Sequence, residues 1–437
     1  MRILVLSQYW SPENGVPQRR WSWLTGLLVA AGHQVTVVAP VPHYLAHHSW
    51  GQCLALNLRA LRASTSEQGP SGETIVRSGF LPAGRSLTGR IANQAGVAVG
   101  MCATSLRLLA CRRTSVDVVI ATVPALPTAV LARLVAGVAR VPYIIDLRDA
   151  WPDLLREGRR WNAGVARPSV RERLFRLGPF QLMAAVVKRN INGALRNAAS
   201  VMTTSANLSE DLRTREEIVG GRAGAPMFST VRNVFPSALT TVECTVSTSA
   251  DGEINVLYAG TLGRAQMLNN ALEAVECAAA LGTRVHLRLV GTGPTVEALK
   301  QTVAERGLST VAFYERVSPA ELADHYAWAD TALVHLTDWA PLERAIPSKT
   351  FELMFLGIHI TGVISGEAAD IIESTGAGHV VPPSRPEELA VLWARLSREK
   401  ILLNVSGEGR RWVEHEREYV VPHELRALLD HIEERHA

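Results

Sequence analysis

Apolar residues fall along this chain in short, almost unbroken runs, separated by stretches with helical spacing. In the first half the runs are residues 2–7 (RILVLS), 34–39 (QVTVVA), 116–122 (VDVVIAT), 141–147 (VPYIIDL) and 199–205 (ASVMTTS). Runs rich in β-branched residues, without polar alternation, belong to strands buried on both faces. Helical patterns at 21–31 and 125–139 supply the cover. The second half repeats the theme, with strand-like runs at 254–260, 285–291, 310–315, 331–336 and 359–363 and helical patterns at 269–281 and 295–306. Strands alternating with helices predict an α/β fold of two Rossmann-like, doubly wound parallel-sheet domains. Residues 241–253 (TVECTVSTSADGE) have linker composition. The predicted organisation is an N-terminal domain over 1–233, a hinge over 234–253, a C-terminal domain over 254–409, and helices over 410–437 placed to pack back on the first domain.

Two stretches do not fit plain α/β packing. Residues 91–113 hold an uncharged run over 91–106, shorter than the roughly 20 residues a spanning helix needs. In residues 159–190, Arg alternates with Leu, Phe, Trp and Val, as in segments that lie in a membrane interface. The plainer reading is that both cover the core of the first domain. Together they predict peripheral attachment and no span.

The 437 residues suit two domains. The net charge of +4 hides an asymmetry: residues 1–233 hold 28 Lys/Arg against 13 Asp/Glu, and the remainder holds 17 against 28. A basic half implies an anionic partner. Its cations are nearly all Arg and no nucleic-acid motif accompanies them, so a membrane surface or a phosphorylated substrate is preferred to nucleic acid. The five cysteines (Cys53, Cys102, Cys111, Cys244, Cys277) show no CxxC spacing, which fits a reduced compartment. No signal peptide is expected from the polar, Pro-rich segment 8–20. His33, His43, His47, His48 and His335 show no metal spacing.

Four segments carry candidate chemistry. The loop YWSPENGVPQRRW (9–21) has one glycine, Gly15, where a dinucleotide fingerprint needs three. Arg19 and Arg20 follow in the first helical turn, where cations oppose the helix dipole unless an anion docks nearby. In IIDLRDAWPD (144–153), Asp146, Arg148, Asp149 and Asp153 are expected just past a buried strand, where hydrogen-bonding or proton-transfer groups belong; helix capping by Asp149 or Asp153 is the alternative. VGTGP (290–294) allows close backbone approach to a nucleotide through Gly291 and Gly293. IPSKTFELMFLG (346–357) opens a helix at Pro347 and Ser348 and stops it at Gly357. Lys349 in its first turn marks a phosphate site, and Glu352, one turn on, suits ribose hydroxyls. The competing reading is an ordinary Lys349–Glu352 pair at i,i+3.

YWSPENGVPQ, RDAWPD, YAGTLGRAQ, LVGTGP, IPSKTFE and GEAADIIESTGAGHVVPP occur in this order over nearly the whole chain. Together they resemble glycosyltransferase family 4, of GT-B fold. The branch they look most like is the bacterial one of O-antigen and capsule assembly, such as the N-acetyl-L-fucosamine transferase. The resemblance implies a retaining, metal-independent transfer of a sugar from a nucleotide diphosphate sugar, with no bound cofactor, in a cleft between two domains. By the same resemblance, Gly15 approaches the donor phosphates and Asp149 lies beside the reacting sugar. Gly260 and Thr261 meet the diphosphate, supported by Ser348 and Lys349. Glu352 holds the ribose, and Gly291 and Gly293 border the nucleotide pocket. The chain departs from the wider family where an Arg and a Lys normally neutralise the diphosphate: those places hold Thr261 and Gln266, leaving Arg264 or Lys349 to compensate. Arg344 stands where the first of the family's paired glutamates falls, beside Glu343. The expected donor is UDP-linked, and the basic first half favours a lipid-linked saccharide at the cytoplasmic face of a membrane as acceptor, with a soluble natural product as the alternative. Two alternatives use the same fold: a non-hydrolysing UDP-sugar 2-epimerase, and a non-catalytic partner protein that has lost the diphosphate-binding pair.

Overall fold

A computed structural model describes residues 1–13, 15–42, 51–52, 55–57, 66–81, 87–111, 115–123, 126–151, 153–154, 179–220, 225–237, 239 and 249–436. His43, His47, His48, Cys53, Cys244, most of the predicted linker and most of 159–190 lie outside them. The chain divides into two units. The first comprises Met1–Pro152, Leu182–Phe235 and Val421–Ala437; the second comprises Asp153–Gln181 and Pro236–Val420. The last helix, Val421–His436, therefore belongs to the first unit, where Ser229 Oγ donates to the Glu424 carboxylate.

The first unit is built on eight strands: β1 (Arg2–Leu6), β2 (Gln34–Pro40), β3 (Ser66–Gln68), β4 (Thr74–Ser78), β5 (Val118–Val123), β6 (Tyr143–Leu147), β7 (Ser200–Thr203) and β8 (Met227–Thr230). Their order is β3-β4-β2-β1-β5-β6-β7-β8, parallel except for β3. β3, β4 and β8 were not evident from periodicity. β3 is an exposed edge, and β4 and β8 mix Ser, Thr and Arg with apolar residues, so neither reads as a continuous run. The helix Leu87–Ala110 contains most of 91–113; Val97 and Met101 face the core, as the plainer reading had it. No helix among the described residues is long and apolar enough to cross a membrane.

The second unit holds β9 (Glu253–Ala259), β10 (Arg284–Val290), β11 (Val311–Tyr314), β12 (Thr331–His335), β13 (Ile360–Val363) and β14 (Gly378–Val381), all parallel, in the order β11-β10-β9-β12-β13-β14. The chain winds outward from β9 to β11, then returns to β12 and winds the other way. Such a reversal leaves a crevice at the carboxyl ends of the two central strands, here β9 and β12. In the first unit the reversal lies between β1 and β5. The Gly15 loop follows β1, and Asp149 lies one strand beyond β5, after β6.

Two buried histidines make the second unit acid-sensitive. Burial holds the imidazoles of His335 and His359 neutral, with pKa values lowered to about 3. His359 lies between Thr331 Oγ1 at 2.8 Å and His379 Nδ1 at 2.9 Å. Both values are below that of an unfolded histidine, so the unfolded chain takes up the extra protons in acid. The stability is complete above the unfolded pKa, near 6.5, and is lost as pH falls toward the folded value. Between about pH 7.5 and 5.5 each histidine is expected to cost about 1.4 kcal/mol. The urea midpoint of the second unit, followed against pH, checks this. A midpoint that stays level over that range contradicts the buried neutral assignment.

Candidate functional site

In the first unit, the cations after the opening loop do not wait for a ligand. The helix Val16–Ala30 begins at Gly15, and Arg20 and Trp21 turn into the protein, where both are fully buried. Arg20 NH2 meets Asp146 Oδ1 at 2.8 Å, and its NH1 donates to the Val231 carbonyl at 2.8 Å and Asn233 Oδ1 at 3.1 Å. Trp21 Nε1 donates to the other Asp146 oxygen at 2.8 Å. The anion expected beside Arg20 is thus an internal carboxylate. Arg19 lies over the Phe235 ring, 4.8 Å from its centroid.

The same contacts sort the acidic residues of 144–153. Asp146 lies within β6, not past it, and is committed to Arg20 and Trp21. Asp153, which groups with the second unit, pairs with Arg344 at 3.2 Å. Asp149 is left at the strand end, half-buried. Burial pushes its carboxyl above the usual range, and the adjacent Arg148 guanidinium opposes the rise. A carboxyl raised in this way at a strand's carboxyl end suits proton transfer or stabilisation of a developing positive charge. Gly15 needs no special conformation, with φ −125° and ψ 176°. The side chain of Gln18 is close beside it, and Gln18 Oε1 is buried without a hydrogen-bond partner.

In the second unit, the loop Gly260–Gln266 leaves β9 at the reversal point. Gly260 N donates to the Val290 carbonyl at 3.0 Å and Leu262 N to the Thr292 carbonyl at 3.0 Å, lacing this loop to the one after β10. Gly291, at φ +142°, and Gly293 are where the two backbones touch; a Cβ on either would overlap the carbonyl oxygen of Gly260 or Leu262. The two glycines therefore allow the close packing of these two loops. Thr261 is exposed, and its carbonyl accepts the Tyr258 hydroxyl at 2.7 Å. Thr337 N donates to the Ala265 carbonyl at 2.8 Å, tying the loop to the end of β12. Arg264 opens a short turn there. Among the described residues it has no ion pair, and its Nε is buried without a hydrogen-bond partner.

The helix Ser348–Leu356 starts at Pro347 with no side-chain cap and no acidic residue in its first turn. A helix N-terminus without a side-chain cap suits an anion. Lys349 Nζ lies 3.3 Å from Glu352 Oε1, so the i,i+3 pair forms. Periodicity gave no sign of the third member, Tyr326, which is buried on the helix Pro319–Trp328. Its hydroxyl accepts from Lys349 Nζ at 2.9 Å and lies 3.5 Å from Glu352 Oε1. A buried phenol needs a polar partner for its hydroxyl, and that rule was the one available hint. Among the described residues no three His, Cys, Asp or Glu side chains converge as metal ligands do. Cys102, Cys111 and Cys277 are free thiols.

The reversal point of the second sheet thus combines an exposed loop, an arginine with no ion pair among the described residues, a helix N-terminus without a side-chain cap and a Lys–Tyr–Glu cluster. Residues 253–399 match the family described as "Glycosyl transferases group 1". The matched segment lies within the second unit. Among curated proteins none matches the sequence. Similar solved structures include HepE of Anabaena in complex with UDP-glucose, at 15% identity and TM-score 0.60 over 98% of this chain and 99% of that one. They also include a sucrose-phosphate synthase from Thermosynechococcus elongatus, at 15% identity and TM-score 0.62 over 99% of both chains. The lipopolysaccharide outer core galactosyltransferase WaaB, in its apo form, aligns at 12% identity and TM-score 0.56 over 98% and 99%. At these identities the likeness carries the fold: two parallel-sheet α/β domains, as in GT-B glycosyltransferases.

Proposed function

We propose that this protein is a retaining glycosyltransferase that moves a sugar from a UDP-linked donor to a lipid-linked saccharide at the cytoplasmic face of a membrane, in the assembly of cell-surface polysaccharide. The observation that carries the donor half is the reversal point of the second sheet, inside the segment matching a glycosyltransferase family. In this reading the diphosphate meets Gly260, Thr261, Ser348 and the N–H groups of the helix after Pro347. Arg264 and Lys349 neutralise the charge that develops as it leaves, which requires a positioned cation or dipole. Glu352 accepts the ribose hydroxyls, and Tyr326 holds it beside Lys349. Asp149 stands by the reacting sugar. HepE with UDP-glucose supports the choice of nucleotide, as a protein of the same fold. The basic first half and the sequence resemblance to the O-antigen and capsule branch support the acceptor.

Thermal stabilisation by UDP, GDP, ADP and NAD tests the donor site. A ligand at a hundred times its dissociation constant adds about 2.7 kcal/mol. UDP alone is expected to stabilise, Glu352→Ala to abolish most of the shift, and Tyr326→Phe to weaken UDP by about tenfold through one lost hydrogen bond to charged groups. A shift by NAD alone, or by none of the four, removes the reading. Turnover of a UDP-sugar without any acceptor, inverting the C2 centre, would replace it by the epimerase.

A further inference from the structure

We propose that the outer face of three helices in the first unit, Leu87–Ala110, Pro127–Ala139 and Pro179–Arg196, docks on an anionic lipid surface. The proposal deepens the functional reading and rests on it for the location of the acceptor. The surface itself stands on separate observations.

The helix Pro127–Ala139 packs Ala129, Leu131, Ala132, Val135 and Ala136 inward. Its opposite side presents Val130, Leu134 and Val138, which are 40%, 50% and 59% exposed. That i, i+4, i+8 spacing makes a continuous apolar stripe where a solvated helix carries polar residues. On Leu87–Ala110 the exposed positions Ala95, Val99, Ala103 and Arg107 follow the same spacing, with Val99 69% exposed. On Pro179–Arg196, Leu182 and Val186 are 70% and 51% exposed, again four apart. The helices are neighbours. Leu87–Ala110 packs against Pro127–Ala139, and Arg133 NH1 on the latter reaches the Gly193 carbonyl on the third at 3.5 Å.

The charges carried by the three helices themselves have one sign. None of the three helices contains an Asp or Glu, while Arg107, Arg133, Lys188, Arg189 and Arg196 lie on them and Arg140 follows the second. Glu217, from a neighbouring segment, is bound by Lys188 at 2.9 Å and by Asn192. Apolar stripes flanked by cations match a surface of anionic headgroups over apolar chains. A second copy of the same face would set cation against cation. No helix among the described residues is long and apolar enough to span, so the face attaches without crossing.

The test is co-sedimentation of the full chain with vesicles of phosphatidylglycerol and phosphatidylcholine, against vesicles of phosphatidylcholine alone, with the UDP melting shift read on the same samples. The wild type is expected to bind the anionic vesicles at least about tenfold better, and raised salt to weaken it. Leu134→Asp with Val138→Asp, at exposed positions, is expected to lower that binding about tenfold. Arg133→Gln with Arg189→Gln is expected to weaken it on anionic vesicles, with both melting points kept. No binding by wild type, equal binding by both variants, or a wild-type dimer that Val138→Asp splits each overturns the proposal. Loss of the UDP shift with vesicle binding intact counts against the donor site alone.

Discussion

Replacing Asp146 by Asn is expected to destabilise the first unit by about 3–5 kcal/mol, because it leaves Arg20 charged, dry and uncompensated. The pair is 2.8 Å apart with both side chains fully buried. Desolvating two charges is expensive, and the attraction between them repays that cost only while both are present. The Val231 and Asn233 oxygens satisfy other Arg20 protons but supply no negative charge. Arg20→Met with Asp146→Leu should therefore recover most of the loss, since an apolar pair of similar volume removes both desolvation costs; a residue of the defect is expected from Trp21 Nε1, which loses its acceptor. With two units in the chain a single melting point is not a clean measure. Amide hydrogen exchange of β5 and β6 reads the first unit directly. A change below about 0.5 kcal/mol in Asp146→Asn would sink the account of this pair.

Arg264→Gln is expected to lower the rate of transfer from the UDP-sugar by a factor on the order of 10²–10³, the usual consequence of removing a preorganised group from a developing anion. Lys349 already shares its charge with Glu352 at 3.3 Å and its protons with Tyr326. Arg264 has no such counter-ion among the described residues, and its Nε is unpartnered. The substitution should weaken UDP and leave uridine unchanged, which separates a phosphate contact from damage to the loop. Stability should hold, because no ion pair is broken. An Arg264→Gln protein that binds UDP and transfers at wild-type rates would assign the leaving group to Lys349 and the helix N-terminus.

Much of the scaffold was legible along the chain. Strands buried on both faces are continuous apolar runs whatever they pack against, so β1, β2, β5, β6, β7 and β9–β13 can be read from periodicity. Helix stops are local chemistry, and Gly357, at φ +71°, ends its helix as the sequence indicates. β3, β4, β8 and β14 escaped because short strands near sheet edges keep polar residues. The site was legible to the level of segments. Which charges within a segment are free was not. Asp146 and Asp149 are three residues apart, yet one faces Arg20 across 126 positions of sequence and the other stands half-buried at a strand end. Lys349 and Glu352 could be paired by helical spacing, whereas Tyr326 reaches them only because two helices of the second unit meet. Local pattern determines which residues are buried and which elements form. Only the tertiary structure decides which buried charge neutralises which, because that depends on the order in which the sheet brings distant segments together.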